Sequence, residues 1–118
     1  MLRKNPTGHM PVVSENAFVD PTAIICGKVV IEDNVFIGFN SVVFDTVIGK
    51  GCVIRHNCVI DGLDLPNDFH VPPMTNIGAD FDLNSISKVP PKYSAFSESV
   101  VSANHTLVQG YRRIANEL

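Results

Sequence analysis

The chain has 118 residues, of which 45 % are hydrophobic and 18 % are charged, and its formal net charge is −3. This size and composition predict one soluble domain, and no apolar run approaches the roughly 20 residues that a transmembrane helix needs. There is no basic stripe interleaved with aromatic residues, which argues against nucleic acid as a partner. The basic pair Arg3 and Lys4 is not followed by an apolar run, so we expect neither a secretory signal nor a membrane partner.

Cysteine usage bears on the cellular compartment. The three cysteines are Cys26, Cys52 and Cys58, an odd number without a close pair. This pattern argues against a disulfide framework and favours a reducing cytoplasm. We therefore expect a cytoplasmic protein whose cysteines are small, buried hydrophobic side chains.

In chain order, residues 1–16 are predicted to form an N-terminal cap segment, after which a repeat of six residues begins. An aliphatic residue recurs every six positions, with one residue dropped before Ile48: Val19, Ile25, Ile31, Ile37, Val43, Ile48, Ile54 and Ile60. A second series of small or branched residues follows at a spacing of four: Ala23, Val29, Val35, Ser41, Val47, Cys52 and Cys58. A period of six fits neither an α-helix nor a plain alternating strand.

Residues 17–62 are therefore predicted to form a triangular coil, a short parallel β-helix of about 2.5–3 turns. Each six residues form one flat side and one corner, and Gly, Asn and Asp at the gaps suit the corners. Outward positions carry apolar residues that we expect to be exposed, namely Val30, Phe36, Val42, Val53 and Val59. So short a solenoid needs additional burial, which predicts self-association.

The rest of the chain is predicted to close the coil. Residues 63–93, rich in proline, form a loop-rich capping segment. Residues 94–118 form a C-terminal α-helix packed along the coil, because an apolar stripe recurs at helical spacing. The stripe consists of Val100, Asn104, Leu107, Tyr111, Ile114 and Leu118. We expect all four segments to belong to one domain.

Several stretches resemble the γ-class carbonic anhydrases and their bacterial relatives. Residues 17–31 resemble an opening turn of these enzymes, whereas residues 33–44 and 47–54 resemble a later turn. The Leu65-Pro66-Asn67-Asp68 corner and the tail with Tyr93, Asn104 and Gly110-Tyr111 continue the match. The resemblance implies a left-handed coil and a homotrimer packed side by side.

The same resemblance implies a zinc site between subunits, held by three histidines from central turns. Zinc lowers the pKa of its bound water, and the resulting hydroxide attacks CO₂. No residue between Ile31 and Phe44 matches those central motifs, so the chain is predicted to pass from an early turn directly into a late one. This predicts a catalytically degenerate protein, a non-enzymatic trimeric scaffold or binding protein, with no catalytic residue and no cofactor. Asn104 alone matches a family active-site position.

Two enzymatic alternatives remain open. A carbonic anhydrase with a rebuilt zinc site could use the weak metal candidates His56, His70 and His105 across a subunit interface. A hexapeptide acyltransferase could use His56 at a coil corner near a subunit cleft. Metal content discriminates the first alternative, and protection by acetyl-CoA discriminates the second.

Overall fold

The computed structural model describes residues 1–85, which form a parallel β-solenoid of short strands. A single 3₁₀ turn, Leu83–Ser85, follows the last strand. Within these residues no helix is long and apolar enough to cross a membrane. The strands are β1 (Leu2–Arg3), β2 (Val12–Val13), β3 (Phe18–Val19), β4 (Ile24–Cys26), β5 (Val30–Ile31), β6 (Phe36–Ile37), β7 (Val42–Phe44), β8 (Val47–Ile48), β9 (Val53–Ile54), β10 (Val59–Asp61), β11 (His70–Val71) and β12 (Asn76–Ile77).

The strands stack into three parallel sheets, one for each side of the coil. Sheet A has the order β1-β4-β7-β10-β12, sheet B has β2-β5-β8, and sheet C has β3-β6-β9-β11. Within sheet A, Ile25 pairs with Val43, and Val43 pairs with Ile60. These partners lie 18 and 17 residues apart, so one turn of the coil takes three six-residue sides, less one residue in the later turns.

The coil makes about four turns, so the predicted 2.5–3 turns were too few. It extends beyond residues 17–62 at both ends, because β1 and β2 lie in the predicted cap and β11 and β12 lie in the predicted capping segment. Leu65 adds a further side through an isolated parallel bridge to Ile48. The irregular spacing between β1 and β2 hides the first turn from a search for a period of six. The left-handed sense of the coil stays a prediction of the family resemblance.

The core is a stack of inward-facing aliphatic residues. Ile25, Ile37 and Ile54 are fully buried, as the repeat predicts. The second inward position of the shortened side is Thr46, which is 1 % exposed, and not the predicted Val47. This side is one residue shorter at the corner before Thr46. Its second inward position therefore falls three residues after Val43 instead of four. The Thr46 hydroxyl donates a hydrogen bond of 2.5 Å to the carbonyl of Leu63, so its burial is compensated.

The three corners of the coil are columns of residues in the left-handed backbone region. The columns are Asn34, Gly51 and Asp68; Asn40, Asn57 and Met74; and Gly27, Asp45 and Gly62, with φ between +46° and +89°. Gly, Asn and Asp are the residue types that adopt this region at the least cost, which explains their recurrence. Side chains also bond between turns, since the Asn40 amide donates to the Asn57 oxygen at 2.7 Å.

In the last turn of residues 1–85, prolines occupy two places where the preceding turn donates backbone N–H groups. The backbone N–H groups of Gly49 and Arg55 donate to carbonyls of the following turn at 2.9 and 3.1 Å. Pro66 and Pro72 lie 17 residues later, in the same places of the final turn, and β11 is the edge strand of sheet C. A proline has no N–H to donate at these places, and prolines within sheets are found on edge strands.

The predicted C-terminal helix over residues 94–118 lies outside the described residues, as does the capping segment beyond residue 85.

Candidate functional site

A cavity of about 190 Å³ opens on the outer face of sheet C. Its floor is formed by outward-facing residues of three stacked strands, Phe18, Phe36 and Val53, which pair in register. The remaining lining residues are Asp20, Gly38, Phe39, Arg55 and His56. Because successive outward positions of a stacked coil fall in columns, residues about 17 apart in the sequence meet at this site.

Two aromatic stacks shape the cavity. The rings of Phe18 and Phe36 lie 5.2 Å apart at 25°, and those of Phe39 and His56 lie 4.8 Å apart and nearly parallel at 5°. Such offset stacks stabilise the pairs beyond simple burial. Val53 was expected to be exposed, but it is only 3 % exposed. Two of the other outward apolar residues, Val30 and Val59, are exposed as predicted.

The polar groups of the cavity carry opposite charges but differ in their local bonding. The Asp20 carboxylate accepts hydrogen bonds from the Thr22 backbone N–H at 2.9 Å and from the Thr22 hydroxyl at 2.6 Å. Burial lowers the pKa of His70, on the neighbouring strand, and the positive charge of Arg55 lowers it further. The positive charge of Arg55 therefore acts on His70 in the neighbouring strand of sheet C.

The described residues do not fit a zinc ion. Within residues 1–85, no three His, Cys, Asp or Glu side chains lie close enough to share a metal. Of the sequence-predicted metal candidates, His56 stacks on Phe39, and His70 lies in the field of Arg55, which disfavours a neighbouring cation as it disfavours the imidazolium. The third candidate, His105, and the family-matched Asn104 lie outside the described residues.

The two inner cysteines are structural. Cys52 and Cys58 are buried, and their thiols donate to the carbonyls of Pro66 and Pro72 at 3.0 and 3.1 Å. Burial raises the pKa of Cys52 to about 11 and also raises that of Cys58. A thiol that resists ionisation is a poor nucleophile, so neither side chain is suited to thiol catalysis.

Sequence reasoning did not identify the cavity. Only His56 among its lining residues had been singled out as a candidate for chemistry. The signal that could have found the site is the recurrence of aromatic residues at outward positions 18 apart, Phe18 and Phe36, beside the cationic Arg55. The spacing of one full turn places such residues on one face.

Comparison with known proteins finds a similarity to a family of repeat proteins over part of the chain. Residues 10–45 match the family model described as "Bacterial transferase hexapeptide (six repeats)". Over this stretch the chain carries repeats similar to those of hexapeptide-repeat proteins, in agreement with the parallel β-solenoid.

The similarity to particular proteins is more specific. The chain is 30 % identical over 99 residues to the carboxysome assembly protein CcmM of Nostoc sp., covering 84 % of this chain and 18 % of that protein. It is 24 % identical over 102 residues to a carbonic anhydrase of Methanosarcina thermophila, covering 85 % of this chain and 41 % of that enzyme. These relatives confirm the resemblance to the γ-class carbonic anhydrase-like proteins.

A shorter similarity extends to another hexapeptide protein. Over 50 residues the chain is 46 % identical to the bifunctional protein GlmU of Pseudomonas entomophila, which covers 42 % of this chain and 11 % of GlmU. In every case the chain spans less than half of the relative's own length, so the relatives' activities are not transferred to it by similarity alone.

Proposed function

We propose that this chain is a shortened, catalytically degenerate γ-carbonic-anhydrase-like protein that acts as a homotrimeric scaffold without a resident metal. The observation that carries the proposal is the direct stacking of β4 on β7. In the family resemblance these segments belong to an early and a late turn, separated by the central turns that hold the zinc-binding histidines. Here Ile24, Ile25 and Cys26 pair with Val42, Val43 and Phe44 in unbroken parallel register.

The names of the relatives support a scaffold role. Two of the similar proteins, from Nostoc and from Synechococcus elongatus, are named as carboxysome assembly proteins. His56 stacks on Phe39, and the thiols of Cys52 and Cys58 donate to backbone carbonyls. The fold is therefore retained in a form suited to assembly.

The subunit contact is assigned to the outer face of sheet B. Val12, Val30 and Val47 form an in-register column on this face. Val12 is 64 % exposed and Val30 is 37 % exposed, which is unusual because parallel sheets are normally covered on both faces. The family resemblance implies three chains, so each chain would bury this valine column in the trimer.

Two measurements test the proposal. Elemental mass spectrometry of protein grown with added zinc, iron and cobalt is expected to find almost no metal per chain. Light scattering is expected to give three times the chain mass of 12.9 kDa. About one metal per chain would support the alternative, a carbonic anhydrase whose site is rebuilt from His56, His70 and His105, and CO₂ hydration would then be assayed.

A matched pair of variants tests the assigned contact. Val30→Glu places a charge in the valine column of sheet B and is expected to dissociate the trimer. Val59→Glu makes the same change on sheet A, at a valine of nearly equal exposure (38 %), and is expected to leave the trimer intact. Equal behaviour of the two variants would contradict the assignment to sheet B.

A hexapeptide transferase is the second candidate function. It is favoured by the description of the matched family model and by the similarity to GlmU. His56 would be its candidate base, and it lines the cavity on sheet C. A rise in the unfolding temperature on adding acetyl-CoA, abolished by His56→Gln, would support this function over the scaffold.

A further inference from the structure

The outer face of sheet C is more buried than equivalent positions on the other two sheets. Val53 points outward from β9 and is 3 % exposed, whereas the outward valines Val30 of sheet B and Val59 of sheet A are 37 % and 38 % exposed. His70 pairs with Val53 on the edge strand β11, and its Nε2 atom is buried as well. Stacking of strands is common to all three sheets, so the additional burial indicates that a further segment covers sheet C.

The cavity on this face suits the side chains of a docked segment. Its volume of about 190 Å³ is below the roughly 300–1,000 Å³ that is typical of sites for drug-sized ligands. The rings of Phe18 and Phe36 line it as a stacked pair, and Phe39 lines it at a position that is 52 % exposed. Aromatic walls of this kind favour contact with apolar side chains over contact with a polar loop.

The chain itself carries a surface that fits this face. The helix predicted from the sequence for residues 94–118, which lie outside the described residues, has one apolar side. An apolar helix side is normally buried against another element. Its apolar side chains are Val100, Leu107, Tyr111, Ile114 and Leu118. An attached segment has an effective concentration in about the millimolar range, which favours it over a second copy of the chain.

The length of the segment matches the height of the sheet. The strands of sheet C are stacked at about 4.8 Å, which gives about 14 Å between β3 and β11. In a helix, the stretch from Val100 to Tyr111 rises by about 16 Å. The linking residues 86–93 span up to about 28 Å when extended, which exceeds the length of one six-residue side of the coil, about 20 Å.

The charges at the first strand of sheet C favour one direction for the segment. The described chain leaves the coil at its last turn, so the segment would enter beside β11 and run toward β3. Arg112 and Arg113 would then reach the end that holds Asp20, whose carboxylate keeps its negative charge while it accepts hydrogen bonds from Thr22. The lining cation Arg55 follows β9, two strands further from this end.

We infer that residues 94–118 dock along the outer face of sheet C, with the apolar side of the predicted helix against Phe18, Phe36 and Val53. A side chain of this apolar side then occupies the cavity. The docked segment leaves sheet B available for the subunit contact, and the inference depends neither on the metal content nor on the mass of the assembly.

The test uses the full chain with ¹³C-labelled methyl groups. Nuclear Overhauser contacts are expected between the methyl groups of Leu107 and those of Val53. None is expected between Leu107 and Val30 or Val59, which lie on the other two sheets. A sample that mixes leucine-labelled chains with valine-labelled chains shows only contacts between copies, and this sample is expected to lack the contact.

A matched pair of variants tests the apolar side of the segment. Leu107→Asp places a charge on this side and is expected to release the segment from the coil. The Val53 methyl groups should then become as accessible to a soluble gadolinium chelate as those of Val59. Gln109→Asp places the same charge on the opposite side of the predicted helix, since two residues turn it by about 200°, and is expected to leave Val53 protected.

Three results would overturn the inference: the absence of contacts between Leu107 and sheet C, contacts found only between different copies, or equal effects of the two variants on Val53. The contacts are measured on the unchanged chain, so the inference stays testable if Leu107→Asp does not fold. None of these results bears on the metal content or the mass of the assembly, so failure here is distinguishable from failure of the scaffold proposal.

Discussion

The buried hydroxyl of Ser41 offers a sharp test of how the turns hold together. Ser41 is completely buried, and its Oγ donates to the carbonyl of Arg55 at 2.8 Å while accepting the backbone N–H of Cys58 at 3.1 Å. Replacing it with alanine removes both hydrogen bonds. The Cys58 N–H is then left buried without an acceptor, which costs more than the loss of an exposed bond.

The expected magnitude follows from these two bonds. A typical net hydrogen bond contributes about 1 kcal/mol, and an orphaned buried donor costs about 1–3 kcal/mol. Ser41→Ala should therefore lower the free energy of unfolding by about 2–4 kcal/mol. Urea unfolding, followed by circular dichroism at one fixed protein concentration, should show a midpoint lower by about 1–2 M with an unchanged slope.

Thr75→Val provides the control for Ser41→Ala. Thr75 lies two turns further along the same inward column, and its hydroxyl donates to the Pro72 carbonyl at 2.8 Å in an exposed setting. Loss of this exposed bond should cost less than about 1 kcal/mol. If Ser41→Ala costs no more than the control, the reasoning from buried hydrogen bonds between turns is refuted.

Three further expectations can be checked on the same material. Gly38→Ala should destabilise the coil by about 1–3 kcal/mol in urea unfolding, because its Cβ would lie 2.9 Å from the backbone of Arg55, whereas Gly78→Ala meets nothing within 4 Å and should be neutral. Stability should fall between pH 9 and about 11, because Cys52 keeps its proton in the folded state after the unfolded chain has lost it; Cys52→Ala should remove that part of the slope. Stability should also fall as the pH drops below 6.5, where the unfolded chain protonates the imidazole of His70 before the folded chain does; His70→Gln should flatten this limb, and an unchanged limb would contradict the assignment.

The inner architecture was predictable because it depends on a strict period. Ile25, Ile37 and Ile54 were correctly placed in the core from spacing alone, since each must occupy the same point of successive sides. The error at Val47 came from placing the dropped residue on the wrong side of a corner. The spacing of the repeat shows that this side is one residue shorter, but it does not show at which position the residue is missing.

The ends of the coil were not predictable from the period. The side at Leu65 follows Ile60 after five residues, and the inward positions of this last turn take the larger Leu63 and Phe69 in place of small residues. The prolines of this last turn led to the prediction of a loop, although Pro66 and Pro72 occupy positions of the coil itself. The cavity was missed for a different reason: it depends on outward side chains, which the inward repeat does not constrain.

Pro66 and Pro72 also bear on how one coil associates with another in concentrated solution. A solenoid that stops with its strand edges complete would offer a template on which a second coil could stack end to end, extending into a fibre. At Pro66 and Pro72 the last turn of residues 1–85 lacks an N–H at two places where the preceding turn donates one. Each proline therefore removes one hydrogen bond that a strand stacked on this turn would accept, which weakens end-to-end stacking at these two places.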